Sequence, residues 1–260
     1  MKEVNKTMYI PLYGKSYVSQ KGIIFVDKMA EEIWEKEQFK LKRKSKSKWL
    51  AYYMSIRSKV FDEWVKEQLS INNDVVVLHL GCGMDSRIKR VGDINVNWFD
   101  IDFLDVIEER KKYYNETNLY KMISADIRET KWLNNIPITK TAIIILEGIS
   151  MYLTNDEIKD LFTMFDQRFT NVRLLMDCYS GFAAKMSKFK NPVNDVGVTQ
   201  VYGIDDPNLL SSQNLIFLKK HDMIPQKYIF ELKGFERFVF KKLYAGSISK
   251  RLYKLYEFRK

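Results

Sequence analysis

Histidine and cysteine are scarce, with two of each in 260 residues. Cys82 and Cys178 form no CxxC pair, so neither a disulfide framework nor a zinc site is indicated. No His/Cys/carboxylate cluster suggests a resident metal or a covalent enzyme intermediate, and neither is expected. No apolar run approaches the roughly 18 residues of a membrane span. The lysine-bearing start lacks the apolar stretch and small-residue cleavage site of a secretory signal, so a cytoplasmic protein is expected. Internal repeats and low-complexity linkers are also missing, which excludes solenoids and arrays.

Positive charge is abundant. Lys and Arg number 43 against 33 Asp and Glu, a formal net charge of +10, which would suit an anionic partner. The basic residues are nevertheless scattered, and the one dense run, "KLKRKSKSK" (residues 40–48), reads more readily as a solvated surface than as a nucleic-acid groove. A small-molecule partner is expected, and neither nucleic acid nor membrane.

The hydrophobic pattern changes once, near residue 70. Before it, "KMAEEIWEKEQF" and "KWLAYYMSIRSKVFDEWVKEQL" carry apolar residues at helical spacing, among them Trp49, Tyr52, Tyr53, Ile56, Val60 and Trp64. After it come short β-branched runs at 74–80, 96–101, 119–124, 141–147 and 172–177, separated by helical stretches. Strands alternating with helices predict a mostly parallel sheet covered on both faces. Near the end, 213–220 and 251–260 read as a final antiparallel strand pair with a helix at 234–245 between them. The organisation read from this is an N-terminal helical cap or substrate lid over residues 1–70 and an α/β core over 71–260.

The first strand runs into Gly81-Cys82-Gly83. In an open parallel sheet, ligands bind beyond the carboxyl ends of the strands, where glycines admit close backbone approach and helix N-terminal amides can donate. The dinucleotide fingerprint needs a third glycine where this chain has Ser86, which argues against NAD. About 20 residues on, a carboxylate is expected to accept from a ribose diol. "WFDIDF" offers Asp100 and Asp102, which alternation places on one side of the strand; Asp102, at its end, is preferred. Asp126, followed by Ile127, ends the third strand where an acceptor could meet an adenine amine, and Glu147 ends the fourth. These acids describe an adenosine pocket on one rim of the sheet.

"VVVLHLGCGMDSR", "WFDIDFLDVIEERKKYY", "SADIRETKWL", "ILEGISMYLTNDEI", the N-terminal "YIPLYGKS" and the later "YGIDDPNLL" together resemble the leucine carboxyl methyltransferase superfamily, in particular its bacterial branch of tetracenomycin-type polyketide O-methyltransferases. The resemblance implies a class I, Rossmann-like fold with a mostly parallel seven-stranded sheet and S-adenosyl-L-methionine as cofactor. It implies that Arg57 grips the methionine carboxylate of the cofactor, that Gly81 and Gly83 lie beside it, and that Asp102 holds the ribose. Asp126 and Ile127 would flank adenine, Glu147 would hold the remaining acidic contact, and Tyr152 would line the site as a positioning residue. Asp85 is read either as a ligand contact or as a brace of the loop. Arg57 also fits on its own chemistry, because a guanidinium fork matches a carboxylate through two parallel bonds.

The reaction implied is in-line transfer of a methyl group to oxygen, without metal. A carboxylic acid acceptor is already ionised at neutral pH, whereas a phenol needs a base. His79 lies within an apolar strand and reads as a core residue, and His221 carries no partner signal, so bases are few and a carboxylate acceptor is favoured. Tyr9, Tyr13, Tyr17, Tyr179, Phe182 and Met186 are expected to wall a flat, aromatic or polyketide-like acceptor. Methylation of a protein C-terminus, and an inactive protein-binding module of the same fold, stay open as alternatives.

Overall fold

In the computed structural model, residues 7–37, 39–41, 45–92, 95–187 and 200–260 are described. Six strands run parallel: β1 (Val75–Leu80), β2 (Asn97–Asp102), β3 (Tyr120–Ser124), β4 (Thr141–Leu146), β5 (Asn171–Tyr179) and β6 (Ile216–His221). The seventh, β7 (Tyr253–Arg259), is antiparallel to both β5 and β6, giving the order β3-β2-β1-β4-β5-β7-β6. The strands read from the sequence fall where expected to within a few residues, except that residues 247–252 form a helix and only Tyr253 begins the last strand.

Every side chain of β1 and β4 is buried. That is why both read as continuous apolar runs, since a central parallel strand is covered on each face. The edge strand β6 is largely exposed. One apolar core, with Phe162, Phe165 and Phe169 against Leu78, Ile144 and Leu174, fills the face under α6 (Asn155–Arg168). Thr154 and Glu157 form a reciprocal capping box that starts this helix.

On the other face, α1 (Tyr9–Gln20), α2 (Lys28–Glu37) and α3 (Lys48–Ile71) share one continuous core with the sheet, Tyr52, Ile56 and Trp64 meeting Val77, Ile143 and Leu255. The stripe expected on residues 49–64 is thus the face of α3 that packs down on the sheet. The short helices α4 (Arg87–Val91) and α5 (Leu104–Arg110) follow β1 and β2, and α7 (Gly181–Ser187) follows β5. Between β6 and β7 come α8 (Gln226–Ile229), α9 (Gly234–Tyr244) and α10 (Ser247–Leu252). The carboxyl ends of β1 to β5 therefore open on one rim, between α1 and α3 on one side and α9 and α10 on the other.

Candidate active site

A cavity of about 700 Å³ lies on that rim. Arg57, Gly81, Gly83, Asp85, Asp102, Asp126, Ile127, Glu147, Tyr152 and Tyr179 all line it. Helix α3 and the carboxyl ends of the five strands β1 to β5, far apart in the chain, bring these side chains together.

The glycine turn closes β1. Gly81 has φ +62° and Gly83 φ +50°, the left-handed region that other residues avoid. A Cβ on Gly81 would stand 2.3 Å from Ile149 Cγ2, so the turn and the segment after β4 approach as closely as glycine permits. Asp102 ends β2 facing this turn. Its carboxylate accepts from the backbone N–H groups of Gly83 and Phe103, each at 2.8 Å. Burial pushes its pKa up to about 6 against the pull of those two donors. Carboxylate oxygens have lone pairs beyond these two bonds, and so keep capacity for a vicinal diol.

Asp100 corrects the sequence reading. It shares a side with Asp102, but two residues deeper in the strand it lies under the turn and outside the cavity lining. There it accepts from Tyr120 Oη at 2.6 Å and Trp98 Nε1 at 2.9 Å, and pairs with Arg110. Arg110 in turn donates from Nη1 to the Gly83 carbonyl at 3.0 Å, so the buried pair holds the turn from below. Burial would raise the Asp100 pKa, yet Arg110 and His79 outweigh it and hold the group down at about 2.

Arg57 projects from α3 into the carboxyl end of the sheet. It donates from Nε to Glu147 at 3.1 Å, and from Nη1 to Asp177 and to Tyr253 Oη, each at 2.8 Å. Its Nη2 stands 3.4 Å from the Cβ position of Gly148. Glu147 also pairs with Arg87, and the two guanidinium groups overcome its burial to hold its pKa down to about 2. Asp177, by contrast, is raised by burial, which Arg57 only partly offsets. Asp177 and Tyr253 were missed from sequence, although an acid inside "RLLMDCY" was a signal of a buried polar contact.

Asp85 braces the loop: it pairs with Arg90 at 2.8 Å, Arg87 at 3.2 Å and Lys15 of α1 at 3.3 Å. Lys15, which also lines the cavity, gave no signal in the sequence. Asp126 is gripped by Arg128, whose Nε lies 2.9 Å from Oδ1, and Arg128 spans on to Glu157 at 3.0 Å. His79 is buried and hydrogen-bonded, as read, although it also reaches the cavity lining: Nδ1 faces Asp100 and Nε2 faces Arg87 Nη1, both at 3.2 Å. An arginine nitrogen only donates, so Nε2 accepts and the proton sits on Nδ1. Burial lowers the His79 pKa and keeps the ring neutral.

The expected acceptor wall is mostly elsewhere. Tyr179 lines the cavity, but Tyr9, Tyr13 and Tyr17 do not. On α1 the cavity face carries Pro11 and Lys15, one turn apart; Tyr13 and Tyr17 fall on the far side of the helix. Tyr13 packs on Trp34 at 5.1 Å, Tyr17 on Tyr52 at 5.8 Å and Tyr9 on Phe39 at 4.1 Å, all inside the cap. Phe182 and Met186 are exposed on the outer side of α7. In their place stand Leu50, Tyr53 and Met54 of α3, Tyr253 of β7, and Leu243, Tyr244 and Leu252 of α9 and α10.

Comparison with known proteins agrees with this layout. Residues 8–166 match the leucine carboxyl methyltransferase family. The chain is 28% identical to the tetracenomycin polyketide synthesis O-methyltransferase TcmP of Streptomyces glaucescens, over 91% of this chain and 89% of that protein. It is 27% identical to the S-adenosyl-L-methionine-dependent methyltransferase dpfgK of Gibberella zeae, over 65% of this chain and 62% of that one. Among solved structures, the magnesium protoporphyrin IX methyltransferase of Synechocystis PCC 6803 with bound SAH superposes with a TM-score of 0.50 at 9% identity, covering 85% of this chain and 89% of that one, a likeness of fold.

The residues present fit the cofactor that this family uses. The turn at Gly81 packs on Ile149 as closely as only glycine allows and lines the cavity with its backbone, the Asp102 carboxylate faces that turn, and the buried Arg57 guanidinium lines the same cavity. The chain belongs to the leucine carboxyl methyltransferase family, and it is an S-adenosyl-L-methionine-dependent methyltransferase with a class I fold.

Proposed function

We propose that the protein methylates a carboxylate oxygen of a small aromatic, polyketide-like acid. The observation that carries this reading is the lack of an available imidazole base. The sequence has two histidines; His79 has both ring nitrogens engaged, and His221 is held by Glu257 at 2.5 Å outside the cavity lining. Among the described lining residues, the phenols of Tyr53, Tyr152 and Tyr253 are raised by burial and stay protonated. A carboxylic acid with a pKa near 4 needs no base. The similarity to TcmP, a polyketide O-methyltransferase by name, points the same way.

Within this reading Asp102 holds the ribose diol, Asp126 and Ile127 the adenine, and Arg57, which Glu147 and Asp177 hold at the cavity wall, the amino-acid carboxylate; Gly81 and Gly83 let the backbone come close. Glu147 and Asp177 fix the plane of the Arg57 guanidinium. Tyr152 faces the reacting end and positions the acceptor. The acceptor rests against Leu50, Tyr53, Met54, Tyr179, Tyr244 and Tyr253, a wall of rings, thioether and aliphatic groups suited to a flat molecule. The bound cofactor supplies an electrophilic methyl group on a sulfonium. The protein's part is to align the acceptor oxygen with it and keep water out, and such positioning can lower a barrier by roughly 7–11 kcal/mol. Helices α1 to α3 serve as the lid.

Transfer of labelled methyl from S-adenosyl-L-methionine tests this, using aromatic carboxylic acids beside phenols of the same skeleton. The expected product is a base-labile methyl ester from the acids. Transfer to the phenols alone, giving a base-stable ether, would sink the carboxylate assignment.

A further inference from the structure

Helix α9, "GFERFVFKKLY", turns an unusual face to solvent. Phe235, Phe238 and Leu243 are 75%, 64% and 63% exposed, and Phe230, just before the helix, is 60% exposed. Residues 235, 238, 239, 242 and 243 follow helical spacing, so they form one outward stripe, while Phe240 points into the core. Isolated exposed apolar residues need no explanation, but two phenylalanines and a leucine on one helix, with a third phenylalanine just before it, do.

The charge around this stripe is mainly positive, although Lys227 pairs with Glu63 and Lys250 with Asp222. Residues 226–251 contain seven Lys or Arg and two acids, Glu231 and Glu236. Both acids are turned inward. Glu236 accepts from Tyr52 Oη at 2.6 Å and pairs with Lys48 at 2.8 Å and Lys21 at 3.3 Å, and Glu231 accepts from the backbone of Ile24. Lys233, Lys241 and Lys242 remain exposed beside the phenylalanines. The face is therefore aromatic and cationic with no outward acid on α9.

That combination selects among occupants. A second copy docked by the same face would set lysines against lysines, with no acid on the helix to offset them. An anionic lipid surface satisfies both features, since phenylalanines enter the acyl boundary and lysines meet the headgroups. The cavity reaches the same face, because Leu243, exposed in the stripe, also lines the cavity together with Tyr244 and Leu252.

We infer that α9 docks the protein peripherally on an anionic lipid surface, with the mouth of the cavity turned toward it. The expectation of no membrane partner rested on the scatter of basic residues along the sequence and on the lack of a spanning run; among the described residues no helix is long and apolar enough to cross a membrane, and surface docking requires none. An acceptor with an apolar body would enter from the surface in which it is dissolved.

Flotation of the whole protein with vesicles tests this, comparing phosphatidylcholine alone with phosphatidylcholine containing phosphatidylglycerol. Binding is expected only to the mixed vesicles, weakening as salt rises. The double variant Lys241→Glu, Lys242→Glu is expected to lose about tenfold or more in partitioning, and Phe235→Ser, Phe238→Ser a comparable amount. None of these residues lines the cavity, so cofactor titration should stay at the parent value and shows that the variants are folded. Equal flotation with both vesicle types, or variants that float like the parent, would overturn the proposal. So would a dimer in light scattering that the two Phe→Ser changes convert to a monomer, since a second copy would then cover the face.

Discussion

Arg57 on α3 and Asp177 on β5 meet at 2.8 Å, although 120 residues separate them in the chain. The same nitrogen of Arg57 donates to Tyr253 Oη, whose hydroxyl is bonded to Asp177. Three elements from both ends of the chain are thus tied to one buried guanidinium, and if Arg57 grips the cofactor carboxylate as proposed, its geometry depends on all of them.

Arg57→Lys keeps the charge and loses the fork. Cofactor affinity is expected to fall by about 1–3 kcal/mol, because a point charge cannot hold Glu147, Asp177 and a ligand carboxylate in one plane. Calorimetric titration with S-adenosylhomocysteine reads the loss, with a thermal melt to show that the variant folds. Unchanged affinity would place the ligand carboxylate elsewhere.

Asp102→Ala should weaken cofactor binding by about 1.5–3 kcal/mol, through loss of charge-assisted bonds to the ribose. The parent should also bind more weakly as pH falls through about 6, where Asp102 becomes protonated. Ligand-free stability should move the other way. The folded pKa is raised above the ordinary 3.8, so folding takes up a proton between these values, and this group's contribution to stability grows as pH falls from about 6 toward 3.8. Affinity and melting profiles of Asp102→Asn should each lack this component.

Gly81→Ala is expected to destabilise the fold by roughly 1–3 kcal/mol, since its Cβ would meet Ile149 and its φ is positive. Adding Ile149→Ala should recover the steric part and leave the backbone part. Urea unfolding of the parent, the two single variants and the double variant separates the two contributions.

Arg110→Met leaves Asp100 buried without its main partner, and a loss of about 3–5 kcal/mol is expected. Cofactor affinity should fall as well, because the Gly83 carbonyl loses its brace. A variant as stable as the parent would show that the pair contributes nothing.

The strands, their direction and the glycine turn were legible in the sequence because each rests on local signals: β-branched runs, alternation, and glycines where the backbone must turn. That Asp102, Asp126 and Glu147 line one cavity was legible because strand ends in a parallel sheet share a rim. Asp100 was not separable from Asp102, since alternation gives the side of a strand and not the depth, and depth left Asp100 paired with Arg110 outside the cavity lining. Tyr13 and Tyr17 misled for a related reason. Helical spacing groups them on one face, but only the packing of α1 against α2 and α3 decides that this face turns inward. The acceptor wall was hidden because α3, α9 and β7 converge only once β7 inserts between β5 and β6.

The most direct test of the central claim, a nucleoside cofactor lying across this rim, is a crystal structure of the protein with S-adenosylhomocysteine. The expected result is both ribose hydroxyls on Asp102 and the amino-acid carboxylate on Arg57, with the space beyond the sulfur opening toward Tyr53, Tyr244 and Tyr253. A ribose bound away from Asp102, or a ligand outside this cavity, would contradict it.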